Sequence, residues 1–163
     1  MICALFAVAD NGAIGYQGTM PWPRNKQDMM WFKNLTQNNT VVMGKNTWNS
    51  SDMPIPLPKR TNVLISNDFV DREDIIQLRG DVCSGLLHLQ NEHNMDKIFV
   101  IGGANILMQA LPVIEKAYIT RITGEFIHDT QIDMDVFLKE FELVETTDLG
   151  TCKVEEYIRC NNT

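Results

Sequence analysis

The chain has 163 residues, enough for one domain spanning 1–163 that buries its core without metal or disulfide staples. Hydrophobic residues make up 44% and charged residues 21%, ordinary globular values that exclude long disorder. A formal net charge of −7 disfavours binding to nucleic-acid phosphates, and no apolar run approaches the length of a membrane span. Cys3, Cys83, Cys152 and Cys160 match no zinc spacing, and the N-terminus lacks a basic leader. Free thiols in a reducing cytoplasm are the expectation.

Met1–Ala9 (MICALFAVA) is a continuous apolar run that meets a turn signal at Asp10-Asn11-Gly12. It predicts a strand buried on both faces, as in sheets covered by helices. Residues 13–24 hold two glycines and two prolines and read as a long loop, often a functional lid. A helix is expected over Lys26–Leu35, with Asp28, Phe32 and Leu35 on one face. Thr40–Met43 is a second apolar run, ended by Gly44, with a short helix beginning near Asn46-Thr47.

Three prolines exclude helix and central strand from residues 52–60. Asn62–Ile65 predicts a strand and Ile75–Leu78 a weaker one, while Val82, Leu86 and Leu89 are spaced for an amphipathic helix. Lys97–Ile101 predicts another buried strand. It runs into Gly102-Gly103 and then a helical stretch, Ala104–Leu111, that stops at Pro112. Lys116–Thr123 alternates, placing Tyr118, Thr120 and Ile122 on one face. Strands near 141–147 and 152–160 flank Asp148-Leu149-Gly150 as a hairpin. The fold class is α/β, with a central, mostly parallel sheet, an antiparallel C-terminal hairpin and helices on both faces.

Several residues point to chemistry. Glycines at 102 and 103 let backbone approach a ligand, and the helix start beyond them suits a pyrophosphate. A tight turn is the commoner meaning of Gly-Gly alone, and the third glycine of the usual dinucleotide fingerprint is missing. Lys45, after the glycine that ends a strand, suits a phosphate or ribose equally as well as it suits solvent. Asp28 is a carboxylate on a greasy helix face, although a first-turn acid also simply favours the helix dipole. Arg60 has the planar fork that holds a carboxylate, or is an exposed charge in a Pro-rich loop. Thr120 is a strand hydroxyl that needs a partner once buried.

In order and spacing these blocks resemble the dihydrofolate reductase family. The matching blocks are Ile14-Gly15 and Met20-Pro21-Trp22, Asp28 with Phe32-Lys33, and Met43-Gly44-Lys45 with Thr47-Trp48. Pro56-Leu57-Pro58 with Arg60, Val100-Ile101-Gly102-Gly103, Leu111-Pro112, Tyr118-Ile119-Thr120 and Asp129-Thr130 follow. The resemblance covers roughly residues 1–160. It implies an oxidoreductase that transfers a hydride from NADPH to dihydrofolate, giving tetrahydrofolate for one-carbon metabolism and nucleotide synthesis. It also implies a cytoplasmic monomer and an antifolate target.

Roles follow from the same resemblance. Asp28 matches the pocket carboxylate that binds the pterin and assists protonation at N5, with Thr120 against it. An apolar setting should raise its pKa above the aspartate reference of about 3.9. Leu5, Phe6 and Ala7 match the strand lining the pterin slot. Phe32 and Leu57 match its walls, and Arg60 the partner of the folate glutamate carboxylate. Met20 and Trp22 match the loop that closes over nicotinamide. Ala7, Ile14 and Gly15 match the nicotinamide side. Ile101, Gly102, Gly103, Ala104 and Asn105 match the pyrophosphate turn. Lys45, Asn46, Thr47, Ser66, Asn67 and Arg79 match the adenosine side and its 2′-phosphate.

There are departures from the family pattern. Asn105, Leu107, Asn67, Lys45 and Ala104 stand where relatives often have arginine, tyrosine, serine or threonine, arginine and glycine. They bear on the preference for NADPH over NADH and leave the reaction in place. Two other readings are a pyrimidine reductase of the riboflavin pathway and a catalytically silent scaffold. The first would not need Asp28 with Phe32, nor the Arg60 block. The second would not need Met20, Trp22, Asp28 and Thr120 together. His88, His93 and His128 carry no expected role.

Overall fold

The computed structural model describes residues 1–50, 52, 56–92 and 97–160. Its ten strands among these residues are β1 (Ile2–Ala9), β2 (Ala13–Gly15), β3 (Thr40–Gly44), β4 (Thr61–Ile65), β5 (Ile76–Leu78), β6 (Ile98–Gly102), β7 (Lys116–Ile122), β8 (Thr130–Gln131), β9 (Phe141–Asp148) and β10 (Lys153–Arg159). The helices are α1 (Lys26–Thr36), α2 (Lys45–Trp48), α3 (Val82–Glu92), α4 (Ala104–Ala110) and α5 (Met134–Phe137), with a 3₁₀ turn at Leu111–Val113.

Eight strands form one sheet in the order β5-β4-β3-β6-β1-β7-β10-β9. The pairings from β5 across to β7 are all parallel, and β10 and β9 join antiparallel. The predicted architecture is therefore found. The apolar runs are central strands because helices cover both faces, so alternation is lost and nearly every residue is buried.

Two clusters lie on opposite sides of the sheet. One gathers Phe6, Val8, Val100 and Ile119 with Leu86 and Leu89 of α3, Leu107 of α4 and Phe137 of α5. The other gathers Leu5, Val41, Met43, Phe99 and Tyr118 with Trp31, Phe32 and Leu35 of α1. Adjacent β1 and β6 thus send their following helices to opposite faces. In an open α/β sheet a ligand crevice lies beyond the strand ends at such a switch.

Two details differ from expectation. The predicted loop 13–24 begins with β2, which pairs with β8, a partner more than a hundred residues away and invisible to local pattern. Four-residue α5 was also not predicted; Asp133 caps it by accepting from the Asp135 and Val136 amides. Residues 53–55 of the Pro-rich stretch, and His93, lie outside the described residues.

Candidate active site

Asp28 owes its position to the start of α1. Asn25 has extended backbone, and its side-chain carbonyl accepts the Asp28 N–H at 3.0 Å, capping the helix. The same turn directs the Asp28 side chain inward, where it is only 8% exposed. Thr120, in the middle of β7 and in register with Ala7 of β1, donates its hydroxyl to Asp28 Oδ1 at 2.7 Å. Burial pushes the Asp28 pKa up, and the Thr120 hydrogen bond opposes that with a smaller downward effect. The greasy helix face seen in the sequence thus carries a buried carboxylate. Cys152 lies close by; burial first, and then the Asp28 charge, raise its pKa and keep it a neutral thiol.

Phe32 and Leu57 stand on the same side of the sheet as Leu5. Leu57 is fixed by Asn62, which accepts the Leu57 N–H at 2.8 Å and donates to the Leu57 and Arg60 carbonyls. Arg60 lies 5.9 Å from the Phe32 ring centroid, and its Nε is buried with no hydrogen-bond partner among the described residues. Desolvation pulls its pKa down. A half-covered guanidinium with a spare donor is suited to an incoming carboxylate.

Trp22 is 6% exposed and meets Phe126 edge-on at 6.0 Å. It clusters with Ala9, Ala13, Ile122 and Cys152, against which Ala7 and Met20 also pack. The Nε1 atoms of Trp22 and Trp31 are buried without hydrogen-bond partners among the described residues. The loop carrying Met20 is tethered from outside: Gln17 N–H donates to Asp129 at 2.8 Å, Ser50 to the Gly18 carbonyl at 3.0 Å, and Met20 N–H to Asp52 at 2.5 Å. Gly15 accepts from Asp129 N–H at 3.0 Å.

Gly102 has φ +133°, a conformation that favours glycine, and an added Cβ would lie 3.3 Å from Thr47 Oγ1. Among the described residues nothing within 4 Å would meet a Cβ on Gly103, so this main chain borders open space. Further along the strand ends, Lys45 pairs with Asp68 at 2.5 Å. Ser66 accepts the Asp68 N–H, Asn67 accepts the Gly80 N–H, and the Arg79 guanidinium stacks 5.6 Å from the Phe69 centroid. Asn46 is exposed, and Asn105, at the start of α4 beside Ala104, accepts from Gln109.

Part of the expected set comes together. Asp28, Thr120, Leu5, Phe32, Leu57 and Arg60 share one side of the sheet, with Ile101 in the same cluster. Phe6 does not: strand alternation turns its ring to the far face, edge-on to Phe137, so its side chain cannot line a slot beside Asp28. Ile14 likewise packs its side chain against that far cluster. Sequence reasoning missed Asn25, Asp52, Trp31 and Asp68. Only Asn25 had a readable signal, a capping residue three positions before Asp28.

An α/β protein whose neighbouring β1 and β6 send helices to opposite faces, with a buried acid held by a strand hydroxyl and a glycine-ended strand in the same sheet, is the class these features define. The family model described as dihydrofolate reductase matches residues 1–159. A dihydrofolate reductase from Buchnera aphidicola is 34% identical over 142 residues, covering 87% of this chain and 81% of its own. The type 8 dihydrofolate reductase from Escherichia coli is 30% identical over 155 residues, covering 91% and 90%. That of Haemophilus influenzae is 32% identical over 141 residues, covering 85% and 84%. The chain belongs to the dihydrofolate reductase family, and so to oxidoreductases that employ a nicotinamide cofactor. No helix among the described residues is long and apolar enough to cross a membrane.

Proposed function

We propose that this protein reduces dihydrofolate to tetrahydrofolate with NADPH, acting as one domain and a monomer in the cytoplasm, where antifolates would compete for the same crevice. The observation that carries the reading is the buried Asp28–Thr120 pair facing the Phe32–Leu57–Arg60 wall. A pyrimidine reductase has no use for that wall, and the family relationship favours the folate reaction.

NADPH supplies the hydride; the residues of the chain bind, orient and manage a proton. Asp28 Oδ1 is engaged by Thr120, and Oδ2 is left to accept from the 2-amino group and N3 of the pterin. Burial raises its pKa above the usual carboxylate value, the direction that favours a carboxyl holding or steering a proton toward N5. Leu5, the Ala7 backbone and the Phe6 main chain form the floor, while Phe32 and Leu57 flank the rings. Arg60 takes the glutamate carboxylate. Trp22 and Met20 keep bulk water from the reacting faces.

A dinucleotide fits the strand ends: a Cβ at Gly102 would fill the cradle against Thr47, and Gly103 opens to free space. Ile101, Gly102, Gly103, Ala104 and Asn105 would hold the pyrophosphate, and Ala7, Ile14 and Gly15 the nicotinamide carboxamide. Lys45, Asn46, Thr47, Ser66, Asn67 and Arg79 would hold the adenosine end.

The test mixes protein, dihydrofolate and NADPH and follows the loss of reduced-nicotinamide absorbance. Turnover is expected for the wild type and a fall of at least about a hundredfold for Asp28→Asn near neutral pH, in the range assigned to general acid–base groups. Wild-type inactivity, or an unimpaired variant, overturns the proposal.

A further inference from the structure

We infer that Asp68 reads the ribose 2′ position of the cofactor and holds Lys45 away from a 2′-phosphate, so that the enzyme discriminates weakly between NADPH and NADH. This rests on the dinucleotide reading above and refines its adenosine end.

The geometry follows from the sheet. A hydride donor must lie over Asp28 and Ala7, at β1. The glycine-ended β6 is the next strand, then β3, then β4. Three inter-strand steps of a sheet span about 14 Å. A cofactor with its pyrophosphate at Gly102-Gly103 therefore carries its adenosine ribose to the ends of β3 and β4. Lys45 opens directly from the end of β3, and Asp68 lies three residues beyond the end of β4.

At that place the chain presents a cation already committed to an anion. Lys45 Nζ meets Asp68 Oδ2 at 2.5 Å, with both side chains largely exposed, at 58% and 70%. The Asp68 N–H is held by Ser66 Oγ at 3.1 Å, and Gln77 donates to the Asp68 carbonyl, so the loop fixes the acid at the strand end. The Lys45 ammonium in turn pulls the Asp68 pKa below the usual carboxylate range. An acid at the end of a parallel strand accepts a hydrogen bond from a free ribose 2′-hydroxyl, whereas a 2′-phosphate calls for an unopposed cation. A 2′-phosphate here must share Lys45 with the Asp68 carboxylate or displace it, and in either case sits beside that negative charge. Arg79, stacked on Phe69 across the same loop, is a cation that could compensate, whereas Arg72, over the Trp48 ring of α2, is already paired with Asp74.

The test is calorimetric titration with two fragments, adenosine 2′,5′-bisphosphate and adenosine 5′-diphosphate, on wild type and Asp68→Asn, alongside kcat/KM for NADPH and NADH. Asparagine can still accept from a hydroxyl but does not oppose a phosphate or tie up Lys45. Affinity for the 2′-phosphorylated fragment should rise about fivefold in the variant, that for the 5′-diphosphate should change less than twofold, and the NADPH-to-NADH ratio should rise in parallel. Because the groups are exposed, the gain should shrink at high salt. A fragment ratio that ignores Asp68→Asn overturns the inference while an active enzyme leaves the reductase reading standing. A wild type inactive with both cofactors overturns that reading instead.

Discussion

In the proposed reaction Thr120 would set the working range of Asp28. Its hydroxyl stabilises the carboxylate against the larger upward push of burial. Removing it in Thr120→Val should raise the Asp28 pKa further. If the protonated acid is the active form, the falling limb of the kcat–pH profile then moves to higher pH, with KM for NADPH unchanged. A limb that stays put or moves down would refute the role of the hydroxyl.

The same shift has a stability consequence. A raised native pKa means the contribution of Asp28 to folding is fully present below the unfolded value, about 3.9, and is lost as pH rises through the native pKa. Asp28→Asn should therefore melt at a higher temperature than wild type near neutral pH, with the advantage fading in acid. Thermal melts at both pH values decide this. At this scale the sequence announced Asp28 and Arg60 by residue type and setting. It could not announce that Lys45 faces Asp68, since Lys45 opens the four-residue α2 and Asp68 lies in the loop after β4, 23 residues on, and no periodicity links the two.

Helix α1 and strand β3 show how elements hold the site. The α1 cap, Asn25, also meets Thr151 Oγ1 at 3.0 Å, so the β9–β10 turn braces the helix that presents Asp28. The end of β3 is packed against α4 through Gly44, where an added Cβ would fall 2.6 Å from Ile106 Cγ1. Gly44→Ala should lower stability by about 1–3 kcal/mol, the usual cost of overpacking, measured as a shifted urea midpoint. An unchanged midpoint would mean Ile106 moves aside freely. Most elements were legible because their signals are local: apolar runs for β1, β3 and β6, and the Val82, Leu86, Leu89 spacing for α3, whose buried residues are those three. β2 and β8 escaped because two- and three-residue strands have no pattern of their own and exist only through each other.

Across the whole molecule, the face opposite the site is locked by aromatic packing. Phe137 meets Phe6 edge-on at 5.3 Å and stacks on Phe141 at 6.1 Å, and it is almost fully buried. Phe137→Ala should cost about 3–5 kcal/mol, as for other buried phenylalanines, read by denaturant unfolding. A loss below about 1 kcal/mol would show that the face collapses into the gap. The ring of Phe6 anchors β1 from this far side, so the strand that floors the crevice is held by contacts remote from the chemistry.

The chain by itself determined which segments are strands and helices, that the sheet is covered on both faces, and that one acid lies on an apolar helix face. These follow from the order and period of side chains over a few residues. The tertiary structure alone decided that Thr120, 92 residues away, closes on Asp28, that Phe6 turns from the crevice while Leu5 faces the side that holds it, and that Lys45 is held by Asp68. Those contacts depend on strand register and loop closure between distant parts of the chain, where the local pattern carries no information.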